Sequence, residues 1–455
     1  MRIIIIGAGE IGYNIADILS KEANDVVIID RNEEQLKMVS ENLDVQTIVG
    51  SGSSPEVLKK ASLDNSDMVV AVTDSDETNI VACLLAATQS RAPLRIARIR
   101  NPELNGNSAL FSKNHINVDL SINPEREAVK NAVNLMEFPG ASEIIDFARG
   151  RVKLVGFNVG AGCTVLGKKL REIREMTGGK KVLIVSITRG EKLIVPIGDS
   201  VIKENDYMFT VAESTEVRNT LRFFGKDMDP PRKAIIMGGG IMGLMLSELL
   251  EKKGIAVKII EKRQGRCETL SSRLNRVVVL HGDGTGQELL KEENIQDTDY
   301  FIAVTNDEGA NILGALLAKQ LGAKKVISRI NRADYAHIIP TVGIDGVINP
   351  RHAAISKILH YIRKGKIISA TPLYDERAEI FEVVALPTSE ITNKSLKNIK
   401  FPRGTIVGAI LREDEVIIPG GDSVVVSGDH VIIFTLRSAI TQVEKILTVK
   451  PDYFG

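Results

Sequence analysis

The sequence predicts an α/β protein in which two parallel-sheet lobes are each followed by a small β-rich module of the α+β type. Three observations support this fold class. An apolar run that ends in a glycine-rich turn opens the chain, and the same pattern returns in the second half. Apolar runs then alternate with helical stretches, which is typical of a parallel sheet with helices on both faces. Short strand-like runs separated by Gly, Asp and Lys follow each such region, and they indicate a β-rich module with exposed edges.

The first lobe opens with the stretch IIIIGAGEIG, residues 3–12. The apolar run indicates a buried strand, and the glycine spacing indicates a tight turn at a helix start. In that pattern Gly7 permits the turn, Gly9 the close approach of a pyrophosphate and Gly12 the packing of helix on strand. The next apolar run ends in Asp30, 18 residues beyond Gly12, where a carboxylate accepts hydrogen bonds from a ribose. A turn aspartate is the alternative, but the combined pattern favours a Rossmann-type site for a dinucleotide or adenine nucleotide, with the phosphate at the positive end of the helix.

The second lobe repeats this opening as AIIMGGGIMG. Gly238, Gly240 and Gly243 match the first three glycines at an offset of 231 residues, and Glu261 again lies 18 residues beyond the last glycine. A chance glycine run would not carry an acid at the same distance, so we infer a duplication.

The correspondence continues along both halves. VTDSDETN is matched by VTNDEGAN, SINPEREA by VINPRHAA, and the modules share VPIGDSV and IPGGDSV. GKDMDPPRK is the expected linker between the halves. The predicted domains are a first lobe over 1–140, a first module over 141–228, a second lobe over 233–365 and a second module over 370–455.

Composition excludes several classes of protein. A chain of 455 residues is long enough for several domains, and its net formal charge of zero argues against a nucleic-acid binder. Apolar runs are too short for a membrane helix or a signal peptide. Cys83, Cys163 and Cys267 are widely separated, and the six histidines form no ligand pair. These features predict a cytoplasmic protein without a metal site.

With these motifs, the chain resembles the TrkA family of peripheral potassium-uptake subunits, which carry two tandem RCK repeats (regulator of conductance of potassium). The marks of the resemblance are the doubled Gly-x-Gly-x-x-Gly, GDGT at 282–285, the VTDSDETN and VTNDEGAN pair, two INP elements and the repeated PxGDSV. It covers nearly the whole chain. It implies a homotetrameric ring at the cytoplasmic face of the inner membrane. Such a ring binds NAD(H), ADP or ATP in its lobes and controls a separate potassium translocator of the Trk type.

The resemblance also implies a nucleotide-binding set in each lobe. In the first lobe this set is Gly7, Gly9, Glu10, Ile11, Gly12, Asp30, Arg31, Ser51, Thr73, Asp74 and Arg98. In the second lobe it is Gly238, Gly240, Ile241, Met242, Gly243, Glu261, Lys262, Asp283, Thr305, Asn306 and Arg329. Asp283 matches a position near the adenine, whereas its counterpart Ser51 lacks a carboxylate, so the two lobes are expected to differ in affinity or preferred base.

One further position follows from the resemblance. Glu125 matches a carboxylate that some single-repeat relatives place near a bound cation at the interface between lobes. The second half has Arg351 there, so such a site is expected only in the first half. Lys262 and Arg263 can steer a phosphate, with a solvated turn as the alternative.

A sensor is favoured over an enzyme. An oxidoreductase needs an acid/base residue beside the nicotinamide, and neither His281 nor His430 has a counterpart histidine in the first half. We therefore expect no catalytic residue. The alternatives that stay open are an NAD-dependent oxidoreductase and a regulator of another ion transporter that senses a cyclic dinucleotide in the small modules. An acid after the second strand suits the ribose of NAD(H) or of ATP equally.

Overall fold

The computed structural model describes all residues except 23, 91–93, 102–103, 105–110, 112–114, 177–181, 227–228, 332–341, 363–366, 374–376 and 448–455. The predicted fold class is confirmed. Each half contains a six-stranded parallel sheet and, after it, a five-stranded antiparallel sheet. No helix in the described part of the chain is long and apolar enough to cross a membrane.

The first lobe has the strand order β3-β2-β1-β4-β5-β6. Its central strands are buried on both faces, as expected for a parallel sheet covered by helices. Ile3 and Ile5 enter one apolar core, whereas Ile4 and Ile6 enter the other. The strands are β1 Arg2–Ile6, β2 Asp25–Asp30, β3 Gln46–Val49, β4 Met68–Ala71, β5 Leu94–Arg98 and β6 Leu120–Ile122. The helices are α1 Glu10–Lys21, α2 Glu33–Asn42, α3 Pro55–Lys60, α4 Asp76–Gln89 and α5 Pro124–Glu137.

The first module is an antiparallel sheet of order β10-β9-β11-β8-β7 with two short helices. Arg189 and the fully buried Asp206 form a two-point ion pair with N–O distances of 2.7 and 2.8 Å. This pair fixes the turn before β11, because Asp206 also accepts a hydrogen bond from the Lys203 amide. The elements are β7 Glu143–Phe147, β8 Val152–Asn158, α6 Leu170–Met176, β9 Leu183–Arg189, β10 Lys192–Ile194, β11 Tyr207–Glu213 and α7 Val217–Phe223.

The second lobe repeats the first with the strand order β14-β13-β12-β15-β16-β17. Its strands are β12 Lys233–Met237, β13 Ala256–Glu261, β14 Val278–His281, β15 Tyr300–Ala303, β16 Lys325–Arg329 and β17 Gly346–Ile348. Its helices are α8 Ile241–Lys252, α9 Gln264–Arg273, α10 Gln287–Glu292, α11 Glu308–Gln320 and α12 Pro350–Ile362.

The second module has the order β18-β19-β22-β20-β21. Arg412 and Asp429 repeat the two-point ion pair of the first module, at 3.0 and 2.9 Å. The two modules share an apolar core, and the Ala148 amide of the first donates to the buried carboxylate of Glu382 in the second at 3.0 Å. The elements are β18 Ile367–Leu373, β19 Ala378–Val384, β20 Thr405–Arg412, β21 Glu415–Ile417, β22 His430–Leu436 and α13 Ile440–Leu447.

The chain divides into two compact units that do not follow the order of the repeats. One unit joins Met1–Ala128 with Asn349–Ile362, and the other joins Val129–Ile348 with Arg363–Gly455. Helix α12 of the second repeat therefore belongs to the first lobe. Four of its apolar side chains complete a core of that lobe, namely Ala354, Ile355, Ile358 and Leu359.

Helix α5 makes the reciprocal connection. Its last turns belong to the other unit, where the Leu135 carbonyl accepts a hydrogen bond from the Tyr300 hydroxyl of the second lobe at 3.4 Å. The last turns of α5 are therefore grouped with the second lobe, whereas α12 is grouped with the first.

Candidate functional site

A cavity of about 370 Å³ lies at the carboxyl ends of β1 and β4 in the first lobe. These two strands flank the point at which the strand order reverses, and open α/β sheets bind their ligands there. The turn after β1, the end of β2, the loop after β4 and the end of β5 all contribute lining residues.

Two steric requirements explain why the turn after β1 needs glycines. Gly7 has a φ of +108°, and a Cβ there would lie 3.0 Å from the backbone nitrogen of Thr73. A Cβ at Gly12 would overlap the Gly7 carbonyl oxygen. These glycines therefore allow α1 to begin directly against the end of β1.

Gly9 has a different environment. Among the described residues other than its two chain neighbours, none has an atom within 4 Å of a Cβ built at this position, and Gly9 lines the cavity. The first intrahelical bond of α1 runs from the Tyr13 amide to the Gly9 carbonyl at 2.8 Å. The amides of Glu10, Ile11 and Gly12 precede it and have no intrahelical acceptor, so an anion in the cavity can accept hydrogen bonds from them.

Asp30 supports the turn from the end of β2. Its carboxylate accepts hydrogen bonds from the Ala8 amide at 2.6 Å and the Asn32 amide at 2.8 Å. A carboxylate has about four acceptor positions, and Asp30 also lines the cavity. It therefore keeps acceptor capacity for the hydroxyls of a ribose.

An asparagine in each lobe joins the ends of the two strands beside the cavity. Asn79 is fully buried; it accepts from the Thr73 amide at 2.9 Å and the Thr73 hydroxyl at 2.7 Å. Its side-chain amide donates to the carbonyls of Thr73 and Arg98 at 3.1 and 2.8 Å. Asn311 makes the same four contacts to Thr305 and Arg329 in the second lobe.

The charged groups of the first-lobe cavity are paired in the described structure. Arg98 forms an ion pair with the exposed Asp74 at 2.9 Å, and Arg31 donates to the Ser51 hydroxyl at 2.8 Å. Arg351, the second residue of α12, forms an ion pair with Glu10 at the start of α1. Partial burial lowers the pKa of Arg351, but an arginine remains charged at neutral pH.

The second lobe arranges its acids differently. Glu261 is longer than Asp30, is buried, and accepts from the Gly239 amide at 2.9 Å and the Arg263 amide and side chain at 3.0 and 3.1 Å. Burial by itself would raise the pKa of Glu261, but these hydrogen bonds and the Arg263 charge outweigh it and lower the pKa. Arg266 donates to the Gly239 carbonyl at 2.6 Å, so a guanidinium lies on the glycine turn.

Asp283 of the GDGT turn is also held as an anion. It accepts from the Thr285 amide and hydroxyl at 2.9 and 2.7 Å and forms an ion pair with Lys262 at 3.0 Å. Burial would raise its pKa, but the bonds from Thr285 and the Lys262 charge lower it overall. In the first lobe the corresponding position is Ser51, whose uncharged hydroxyl accepts a hydrogen bond from Arg31.

The structure brings most of the predicted first-lobe residues together. The predicted residues that line the cavity are Gly7, Gly9, Glu10, Ile11, Asp30, Arg31, Thr73, Asp74 and Arg98. Gly12 lies beneath the turn. Ser51 does not line the cavity, but its hydroxyl accepts a hydrogen bond from Arg31, which does. In the second lobe Arg329 donates to the Asn306 side chain at 3.0 Å, while the Met242 side chain is buried in the core and Ile241 is exposed.

Sequence reasoning missed several lining residues, which are Gln35, Gly50, Gly52, Ser75, Thr78 and Arg351. The sequence singles out Arg351 only as the counterpart of Glu125. Glu125 has one buried carboxylate oxygen without a hydrogen-bond partner in the described part of the chain. No group of three or more His, Cys, Asp or Glu side chains among the described residues has the geometry to hold a metal ion.

The chain contains two Rossmann-type lobes, and each has a glycine turn and an acid at the switch point and is followed by an antiparallel module. These features define a tandem protein of the dinucleotide-fold class. Family models identify the family. The TrkA-N domain matches residues 3–124 and 234–350, and the TrkA-C domain matches residues 154–225 and 380–448. The chain belongs to the TrkA family, which confirms the resemblance seen in the sequence.

Relatives match over the full length. The Trk system potassium uptake protein TrkA of Azorhizobium caulinodans is 36% identical and that of Halomonas elongata 38%, each over 100% of both chains. TrkA homolog 1 of Methanosarcina mazei is 38% identical over 98% of this chain and 99% of its own.

Solved structures share the fold. The GsuK RCK domain superposes with a TM-score of 0.60 at 18% identity, over 98% of this chain and 94% of that one. The GsuK channel bound to NAD also gives 0.60 at 18% identity, over 98% of this chain and 78% of that one.

Proposed function

We propose that the protein is the nucleotide-sensing regulatory subunit of a potassium uptake system. In this proposal NAD(H) or ADP/ATP binds in the Rossmann lobes and controls a separate membrane potassium translocator of the Trk type. The observation that carries it is the cavity of about 370 Å³ at the switch point of the first lobe. The cavity combines the open amides of a helix start, a ribose-compatible carboxylate and three arginines.

The relatives and the fold support this role. Full-length relatives are named Trk system potassium uptake protein, and a solved structure of the same fold is described as a channel bound to NAD. We further propose a homotetramer at the cytoplasmic face of the membrane, as the family resemblance implies.

Sensing rather than chemistry fits the cavity. The described residues that line it include no histidine, lysine, cysteine or tyrosine, so carboxylates are the only usual acid/base side chains among them. The acids of the cavity are engaged by backbone amides or arginines. The free energy needed to switch between two conformations also favours a sensor, because a tenfold preference of one conformation for a nucleotide is worth about 1.4 kcal/mol per site. Four equivalent sites acting together supply about 5.6 kcal/mol, which is about what reversing a two-state equilibrium requires.

A titration of the purified chain tests the proposal. NADH binding is followed by nicotinamide fluorescence while the absorbance at 340 nm is recorded for turnover, with ADP and ATP as competitors. We expect saturable binding, displacement by the adenine nucleotides and a constant absorbance. Steady loss of NADH would favour the oxidoreductase instead. Absence of binding by all three would direct attention to a cyclic dinucleotide.

The regulatory half of the proposal needs a flux measurement. The chain is combined with a Trk-type translocator in vesicles, and potassium uptake is recorded with and without each nucleotide. Nucleotide-dependent uptake supports regulation, and uptake that ignores every bound nucleotide contradicts it.

A further inference from the structure

Arg351 reaches the first-lobe cavity from the other repeat. It lies 341 residues after Glu10 in the sequence, yet it lines the same cavity as the glycine turn. Helix α12 is held in place by its apolar contacts with the first lobe. Two polar contacts add to them: the Tyr361 hydroxyl donates to the Asp119 carbonyl at 3.1 Å, and Lys357 pairs with Glu127 at 3.1 Å.

The partner of Arg351 is placed where an anion is expected. Glu10 is the first residue of α1 and follows the open Gly9. Its carboxylate therefore lies at the positive end of the helix, where negative charge is stabilised. Both side chains of the pair remain 40–53% exposed, and ion pairs this exposed are weak. A phosphate that enters the cavity can compete with Glu10 for the guanidinium.

We propose that Arg351 is a specificity-determining residue of the first-lobe site that binds the phosphate chain of a nucleoside polyphosphate in exchange for Glu10. This inference rests on the proposed nucleotide-sensing function. An arginine binds phosphate through parallel hydrogen bonds and full charge, so its contribution grows with the charge of the phosphate chain. The exchange makes the first lobe favour ATP over ADP.

The helix that carries Arg351 belongs in sequence to the second repeat. Helix α12 follows β17 by one residue and precedes β18 in the chain, and both of those strands belong to the other compact unit. A ligand that moves Arg351 from Glu10 to phosphate therefore acts on a helix covalently continuous with the second repeat.

The alternative is that the pair only fastens α12 to α1. A mutant cycle separates the two roles, using Glu10→Gln, Arg351→Gln and the double variant in the full chain. Lys357→Gln is the matched control, because Lys357 is a paired cation on the same helix that does not line the cavity. Gly240→Val is added throughout to restrict binding to the first lobe, and thermal unfolding confirms that each variant is folded. ADP and ATP are titrated as competitors of NADH.

We expect Arg351→Gln to weaken ATP about tenfold, equivalent to about 1.4 kcal/mol, and ADP less, with Lys357→Gln leaving both unchanged. Glu10→Gln tightens both nucleotides, and Arg351→Gln still weakens ATP in the Glu10→Gln background. A fastening role predicts no further loss in that background, and this result would overturn the inference while leaving nucleotide sensing intact. If the parent chain binds no nucleotide, the proposed function fails as well.

Discussion

Substituting Gly9 by valine should weaken phosphate binding in the first lobe roughly 100-fold while leaving the lobe folded. Apart from the two chain neighbours of Gly9, no described residue has an atom within 4 Å of a Cβ at this position. The Gly9 backbone has φ −65° and ψ 179°, an extended conformation that valine adopts readily. The folded state should therefore lose no more than about 1 kcal/mol, the usual cost of a poorer helix cap.

The magnitude of the binding loss follows from the helix start. The new side chain would fill the space in front of the free amides of Glu10, Ile11 and Gly12. Losing two charge-assisted hydrogen bonds of about 1.5 kcal/mol each weakens binding by about 3 kcal/mol, or roughly 100-fold in Kd. The equivalent glycine of the second lobe, Gly240, has the same open surroundings, so Gly240→Val should remove the second site in the same way.

The assay is NADH titration of the single variants and the double variant. Gly162→Val is the control, because Gly162 in the first module is exposed and equally unobstructed. Gly12→Ala is the contrasting variant: its Cβ overlaps the Gly7 carbonyl, so it should destabilise the lobe itself. Unchanged NADH affinity in a folded Gly9→Val, Gly240→Val double variant would refute the assignment of the glycine turns as phosphate sites.

Three further predictions concern stability. Asn79→Ala removes four hydrogen bonds of a buried side chain and should cost about 2–4 kcal/mol of unfolding free energy, measured by denaturant titration. Because the pKa of Glu261 is lowered from its ordinary value of 4.5, the ionised carboxylate stabilises the fold at every pH above 4.5. This contribution is lost as the pH falls through the lowered pKa. Glu261→Gln should therefore make acid unfolding less steep below pH 4.5. Burial raises the pKa of Glu143 to about 7, against a smaller opposite effect of the Tyr207 hydroxyl. Its contribution is therefore complete below pH 4.5 and lost as pH rises towards 7, so Glu143→Gln should raise the melting temperature at pH 8 more than at pH 5.

Each of these has a matched variant or a result that would contradict it. Asn311→Ala should give a comparable loss in the second lobe, because its contacts are the same. Glu204→Gln alters an exposed carboxylate and should leave the acid limb of the unfolding curve unchanged. Equal melting-temperature shifts for Glu143→Gln at pH 5 and pH 8 would show that the Glu143 carboxyl does not titrate between them.

The fold and the glycine turns were predictable because their causes are local. Gly12 is dictated by the Gly7 carbonyl of the same strand–turn–helix unit, and the positive φ of Gly7 belongs to that turn. The acid at Asp30 lies within the same βαβ segment. The repetition of all these residues at a constant offset supplied independent support. Periodicity and spacing report such short-range requirements well.

The remaining site residues depend on contacts between distant segments. Asn79 stands in a motif that was recognised, but its role exists only because the ends of β4 and β5 are neighbours. Its recurrence as Asn311 was the available signal. Arg351 has no local signature at all, since it enters the cavity through the packing of α12 on the first lobe. Met242 shows the converse: a position inside the glycine motif whose side chain is buried in the core.

The placement of α12 has a consequence for biosynthesis. The core of the first lobe includes Ile355, Ile358 and Leu359, yet the ribosome has finished the rest of that lobe by residue 128. At about 5–20 residues per second, on the order of 10–50 s pass before α12 is synthesised. During that interval the nascent lobe exposes the apolar surface of α1 that α12 will later cover. A chain terminated between the repeats would keep that surface exposed permanently, and it should be a substrate for chaperones and proteases rather than a functional half.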